Sequence, residues 1–423
     1  MSPIKPFKIA VPDSKLEALH RKLEDVTFPD ELEDAGWDLG APLGDIKRLV
    51  GHWKEKFDWR ASERDLNDAM PQFITDVEVD GFGSIELHFV HQKSKLDNAI
   101  PLLFIHGWPG SFLEAKKLLP LLAHGDATKP AFHVVAPSLP NFGFSRGIKK
   151  KGFGFAQYAE CLNTLMQKLG YDEYVTQGGD WGAVISRALA VQHPAQVKAV
   201  HLNFNPVMPP YPWKHPILFL QSLLTFPFSP KDRARLANTK AYLDEGNGYL
   251  RLQETSPQTL GYGLQDSPVA LLAWIYEKLR AWTDEYPWTD DEILTWVSIY
   301  HFSTAGPAAS ARIYWEGMHA PQKADFRTLS REQLFASRAP QSVKIAVAHF
   351  PREIITMPLS WNRTVGNVVR QTEFDKGGHF AAWEVPELLA GDLQSFLGKG
   401  GQAEGAVACR GGASKSQHPT ARL

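Results

Sequence analysis

Cysteine is nearly absent: Cys161 and Cys409 are the two thiols in 423 residues. The first falls in an expected helix and the second in a glycine-rich tail. A structural disulfide is therefore not expected, and the chain reads as intracellular and reduced. Neither sign of charge is in excess. Lys and Arg number 45 against 47 Asp and Glu, a net charge of −2, which gives no electrostatic reason to expect nucleic acid or an anionic membrane surface as a partner. Long apolar runs are missing too. The start, Met1-Ser2-Pro3-Ile4-Lys5-Pro6-Phe7-Lys8, lacks the apolar stretch of a signal peptide. No run elsewhere approaches the roughly 20 residues that span a bilayer. A soluble protein is expected. There is no internal repeat, and no zinc-type spacing or dinucleotide motif, so neither a metal nor an organic cofactor is expected.

What is present is ordinary core material in quantity. Hydrophobic residues make up 43% and charged residues 22%, enough for one large α/β domain with a substantial insertion. The chain also has 13 Trp and 24 Phe. Any one of them is first a packing residue. As a set, lying mostly outside the expected strands, they point to an aromatic-lined pocket.

The pattern divides the chain. Residues 1–92 form an N-terminal module. It opens mainly helical, with Asp13 placed to cap a helix bearing Leu16, Leu19 and Leu23, and a second helix from Leu43 to Phe57. Between them, Phe28-Pro29-Asp30 and Trp37 suggest an extended arm lying on another surface. Phe73 to His91 alternates at period two around Asp80-Gly81-Phe82-Gly83, which predicts a hairpin. Residues 93–205 alternate short strands (Leu102–Ile105, Phe132–Ala136, Tyr174–Gln177, Val197–Leu202) with helices near Leu113–Leu122, Ala156–Leu169 and Trp181–Gln192. That alternation predicts a mostly parallel sheet with crossover helices. Residues 206–340 lose the sheet signal and become Pro-punctuated helices such as Pro268–Trp282 and Asp290–Tyr300, which reads as a helical cap. In 341–397 the strands Val343–Ala348 and Val368–Phe374 and a closing helix Phe380–Leu397 complete the core. A disordered tail is expected over 398–423.

The chemistry is carried by Val175-Thr176-Gln177-Gly178-Gly179-Asp180-Trp181-Gly182. A strand enters and an apolar helix leaves, with Gly178 and Gly182 flanking Asp180 where the two backbones come too close for a Cβ. In α/β-hydrolases this turn holds the nucleophile in a strained, exposed position above the sheet. A serine there would imply acyl transfer. A carboxylate implies displacement at an sp3 carbon, giving an ester that must then be hydrolysed. In this fold the acid and the histidine follow the nucleophile in chain order. His379, in Asp375-Lys376-Gly377-Gly378-His379-Phe380, comes directly after the last strand. Glu353 follows the strand before it. Asp375 is the competing carboxylate, on the histidine's own strand. His106-Gly107-Trp108-Pro109-Gly110 follows the Leu102–Ile105 strand, where this fold places one oxyanion-hole N–H. The residue after the nucleophile gives the other, so Trp108 and Trp181 are the expected donors.

Together His106-Gly107-Trp108-Pro109-Gly110-Ser111-Phe112, Gly178-Gly179-Asp180-Trp181-Gly182 and Gly377-Gly378-His379-Phe380-Ala381-Ala382 resemble epoxide hydrolases of the microsomal type. Val11-Pro12-Asp13, Phe57-Asp58-Trp59-Arg60 and Asn67…Gln72-Phe73 extend the likeness over nearly the whole chain to about Leu397. The resemblance implies an α/β-hydrolase fold with an inserted helical cap and an N-terminal helical arm. It also implies two cap tyrosines that hold and protonate the epoxide oxygen. Matched by motif, these are Tyr249 in Glu245-Gly246-Asn247-Gly248-Tyr249-Leu250, with Tyr242 its nearest rival, and Tyr314 in Ala309-Ser310-Ala311-Arg312-Ile313-Tyr314. Glu353 matches the family's acid position. The expected reaction joins water to an apolar epoxide to give a vicinal diol. The alternatives are a haloalkane or haloacid dehalogenase, whose halide needs no tyrosine acid, and a non-catalytic ligand-binding relative. The likeness also allows a homodimer through the N-terminal arm. The last residues, Ala421-Arg422-Leu423, resemble a peroxisomal address, so the expected location is cytoplasmic or peroxisomal.

Overall fold

The structure, a computed structural model, describes residues 2–126, 128–320 and 337–407. Cys409 and the Ala421-Arg422-Leu423 terminus lie outside the described residues. Among the described residues no helix is long and apolar enough to cross a membrane.

The N-terminal module supplies β1 (Lys5–Phe7), α1 (Asp13–Glu24), α2 (Leu43–Glu55), α3 (Trp59–Ala69) and the hairpin β2 (Gln72–Val79) and β3 (Gly83–Gln92). The core adds β4 (Ile100–Ile105), α4 (Ala115–Leu122), β5 (Phe132–Pro137), α5 (Phe155–Lys168), β6 (Tyr174–Gly178), α6 (Asp180–Gln192) and β7 (Val197–Leu202). The cap contributes α7 (Pro216–Thr225), α8 (Pro230–Ala241), α9 (Gly248–Thr255), α10 (Pro257–Asp266), α11 (Pro268–Ala281), α12 (Asp290–His301) and α13 (Arg312–His319). The chain then returns to the sheet with β8 (Lys344–His349) and β9 (Asn367–Glu373).

The described strands form one nine-stranded sheet, ordered β1-β2-β3-β5-β4-β6-β7-β8-β9. Pairing is antiparallel from β1 to β5 and parallel from there to β9. The parallel strands are covered on both faces, so they read as near-continuous buried runs; all five residues of β6 are buried. Four cap helices begin with proline in the first turn, at Pro216, Pro230, Pro257 and Pro268. The ring fixes a helical φ where the missing N–H would have had no acceptor. Thr289 and Glu292 cap α12 reciprocally.

The first 70 residues are mainly helical, and β1 adds an edge strand to β2, with Pro6 opposite Phe73. Two sequence expectations need correction. The expected final helix is two, Ala381–Glu384 and Pro386–Leu397. Val385 leaves the helical region (φ −137°, ψ 54°), as the residue before a proline is pushed to do. The first part of the expected tail is folded: Ala403 is buried and its N–H donates to the Phe396 carbonyl at 2.9 Å.

The extended segment after α1 does lie on another surface. Trp37 packs on Tyr276 of α11 with ring centroids 5.5 Å apart, and the Tyr276 hydroxyl donates to Asp45 of α2 at 2.8 Å. Helices α1 and α2 both pack against α11, and α2 and α3 against α12. The N-terminal module therefore braces the cap as well as edging the sheet.

Candidate active site

The turn between β6 and α6 places Asp180 at φ +49°, a left-handed conformation that costs a residue with a Cβ about 1–2 kcal/mol. The flanking glycines make it possible. A Cβ on Gly182 would run into the Ile105 carbonyl, and one on Gly178 into the Gly182 carbonyl. Gly107 has a related task, since a Cβ there would occupy the space of the Asp180 carboxylate. The loop after β4 thus lies directly against the carboxylate, and the Trp108 N–H donates to Asp180 Oδ1 at 2.8 Å. Trp181 follows in the first turn of α6, where a backbone N–H has no intrahelical acceptor.

His106 shapes that loop. Its Nε2 accepts from the Leu139 N–H at 3.2 Å and its Nδ1 donates to the Gly107 carbonyl at 2.9 Å. Burial lowers it to about 4, so it stays neutral with both nitrogens occupied. From the cap side, α12 grips the same loop: Trp296 Nε1 donates to the Pro109 carbonyl at 2.5 Å and the Tyr300 hydroxyl to the Gly110 carbonyl at 2.6 Å.

His379 stands between two carboxylates. Its Nε2 is 3.4 Å from Asp180 Oδ2, and its Nδ1 is 2.6 Å from Glu353 Oε1. Glu353 Oε1 is further fixed by the Ile354 N–H at 2.7 Å. Asp375 is exposed and outside this contact. Burial opposes charge on the imidazole, but Glu353 and Asp180 together outweigh it and hold His379 well above its ordinary 6.5. The loop that carries it is pinned from several sides. Its own N–H donates to the Trp282 carbonyl at 2.8 Å, and Gly377 N–H to Asp284 at 2.8 Å. Glu384 Oε1 accepts from Gly378 and Phe380 N–H groups at 3.1 and 3.2 Å.

Above Asp180 the cap presents aromatic rings. Helices α9 and α13 pack together and carry Tyr249 and Tyr314, whose ring centroids are 6.1 Å apart. Trp108 stacks on Tyr249 at 5.3 Å and meets Tyr314 edge-on at 5.7 Å. Trp181 meets Tyr314 edge-on at 4.8 Å. Burial, with Asp180 nearby, raises both phenols well above 10.0, so they are protonated at neutral pH. The Tyr314 hydroxyl is buried with no hydrogen-bond partner of good geometry among the described residues. The hydroxyls of Tyr242 and Tyr249 meet at 2.8 Å.

Sequence reasoning missed a small chamber beside Asp180 and His379. It has a volume of about 10 Å³ and is walled by Glu114, Gln177 and Asn203 among others, room for about one water. Glu114 is buried, and that burial pushes its carboxyl up to about 8. Gln177 Nε2 donates to Asn203 Oδ1 at 2.7 Å, and its buried Oε1 has no partner among the described residues. One signal was available for Gln177, a long polar side chain in a strand otherwise built to be buried. Glu114 carried none.

The chain is similar to known proteins over most of its length. Residues 4–115 match the family model described as "Epoxide hydrolase N terminus", and residues 100–227 match "alpha/beta hydrolase fold". A Stigmatella aurantiaca protein provisionally named an epoxide hydrolase is 41% identical over 401 residues, 92% of this chain and 84% of that one. Epoxide hydrolase 1 of Sus scrofa is 33% identical over 422 residues, 93% of this chain and 88% of its own. Among solved structures, the Aspergillus niger epoxide hydrolase superposes with a TM-score of 0.78 at 30% identity, covering 92% of this chain and 95% of that one.

Proposed function

The chain belongs to the epoxide hydrolases of the α/β-hydrolase fold, and from that premise we propose a two-step reaction through an ester on Asp180. The observation that carries it is the environment of that carboxylate. Oδ1 is held by the Trp108 N–H, and Oδ2, which faces His379 Nε2 at 3.4 Å, is the oxygen that attacks. As Oδ2 bonds to a ring carbon, the C–O bond of the epoxide breaks and its electron pair moves to the oxygen. An alkoxide is a poor leaving group, so that oxygen must receive a proton as charge develops. Tyr249 and Tyr314 are the donors, kept protonated by their burial. Halide displacement would not need them, which is why the epoxide is the better reading than a haloalkane.

Esterification also primes the second step. In the resting site His379 is held protonated by two carboxylates. Once Asp180 becomes a neutral ester, one of those charges is gone and the imidazole can release its proton to solvent. Neutral His379, oriented by Glu353, then takes a proton from water as the water oxygen bonds to the ester carbonyl carbon of Asp180. The one-water chamber is where that water stands, with Gln177 Oε1 free to accept its second hydrogen. Trp108 and Trp181 N–H groups face the developing oxyanion. Collapse breaks the ester bond: the departing alkoxide takes the proton of the newly formed carboxyl as Asp180 ionises again, His379 is left protonated as at the start, and solvent returns to the phenolate the proton that His379 had released.

A single turnover in 18O-labelled water tests this. The label should enter Asp180, because the diol departs with an oxygen that belonged to the carboxylate. Asp180→Asn should form no covalent adduct, and His379→Gln should accumulate one. Label in the diol alone, or unchanged turnover by Asp180→Asn, would overturn the mechanism.

A further inference from the structure

Lys278, on α11, is a lysine whose residue exposure is 4%. Its Nζ stands 4.6 Å from the centre of the Tyr249 ring, with the Trp274 and Trp282 rings at 5.9 and 5.8 Å. Glu277 is its ion partner at 2.6 Å. Taking an ammonium out of water is costly, and a methionine or leucine would fill the same volume without that cost. The cation therefore invites an explanation at the ring it covers.

We propose that Lys278 is a positioning residue for ring opening, its ammonium stabilising the negative charge that Tyr249 acquires while protonating the epoxide oxygen. The proposal rests on the reading of Tyr249 as an acid. In that step the Tyr249 O–H bond breaks, its proton goes to the epoxide oxygen, and its electron pair stays on the phenolate. A cation over a neutral ring is attracted by the quadrupole alone. Over an incipient phenolate it is attracted by net charge as well, so the interaction strengthens as the reaction proceeds. Interactions that grow toward the transition state raise the rate of the step instead of tightening substrate binding. Glu277 does not cancel this. Its side chain is 33% exposed against 5% for Lys278, so solvent screens the carboxylate more than the ammonium. Tyr242 acts in the same direction, because its hydroxyl can donate to the Tyr249 oxygen across their 2.8 Å contact. Trp108, stacked on Tyr249, holds the ring in register with the loop that binds Asp180.

The test is a double-mutant cycle on the full chain, with styrene oxide as the probe. Stopped-flow tryptophan fluorescence separates formation of the ester from its hydrolysis. Lys278→Met should slow ester formation about ten-fold, a typical value for losing a desolvated cation over a ring. Ester hydrolysis should not change. Lys278→Arg, which keeps a cation that stacks well on aromatic faces, should recover most of the loss. In a Tyr249→Phe background, adding Lys278→Met should change ester formation by less than about two-fold, since the group it acts through is gone. Equal slowing in both backgrounds would mean that Lys278 is only packing, and would overturn the proposal. So would wild-type ester formation by Lys278→Met. Wild-type behaviour of Tyr249→Phe alone would instead remove the acid role from Tyr249, and the proposal with it. Lys278→Gln gives the same readings if Lys278→Met does not fold.

Discussion

At the scale of the residue, the site depends on which charges are allowed to exist. Glu114 makes the point. Below pH 4.5, its ordinary value, the carboxyl is protonated whether the chain is folded or not. Between there and about 8 the unfolded chain releases the proton and the folded one keeps it. Stability from this group is thus complete in acid and declines with rising pH, by up to about 1.4 kcal/mol per unit. Glu114→Gln should flatten that decline between pH 5 and 8, as read by urea denaturation across the range. A variant with the wild-type slope would show that Glu114 is ionised in the fold. Residues of this kind are illegible in a sequence. Asp180, His379 and Glu353 could be grouped beforehand because each has a local backbone reason for its place: flanking glycines, the end of the last strand, the end of the strand before it. Glu114 and Lys278 reach the site through tertiary packing, and no spacing rule announces them; Gln177, three residues before Asp180, is marked only by its polarity in a buried strand.

At the scale of the element, the elbow is governed by backbone proximity. Gly182→Ala forces a methyl against the Ile105 carbonyl, where neither strand nor helix can give way. We expect about 1–3 kcal/mol of destabilisation, the usual cost of overpacking, together with loss of ester formation. Gly391, within Pro386–Leu397, is the control: a Cβ there meets nothing within 4 Å. Gly391→Ala should stabilise the protein by about 0.5–1 kcal/mol. Chemical denaturation of both variants checks the pair, and a stable Gly182→Ala would refute the packing account. The larger elements were legible in the sequence because periodicity reports burial. Strand β1 was not, being three residues long and too short to show alternation. The cap helices α7 to α10 were only partly legible, since most of their starts are prolines that read equally well as turns.

At the scale of the whole molecule, contacts run from the N-terminal module through the cap to the loop beside Asp180. Trp53 of α2 is buried beside His301 of α12, ring centroids 6.3 Å apart, and α12 grips the Pro109 and Gly110 carbonyls next to Trp108. Trp53→Ala should cost about 3–5 kcal/mol and should slow ester formation although it lies outside the site. Calorimetry should show one transition for module, cap and core together; two separated transitions would mean that the module folds independently. The grip of the cap on both loops has one more consequence. The Trp282 carbonyl holds the His379 N–H, while Trp296 and Tyr300 hold the loop of Trp108. Swinging the cap away would release His379 and the loop of Trp108 at the same stroke. The cap is therefore not a door. A rigid swing would dismantle the very site that it uncovered.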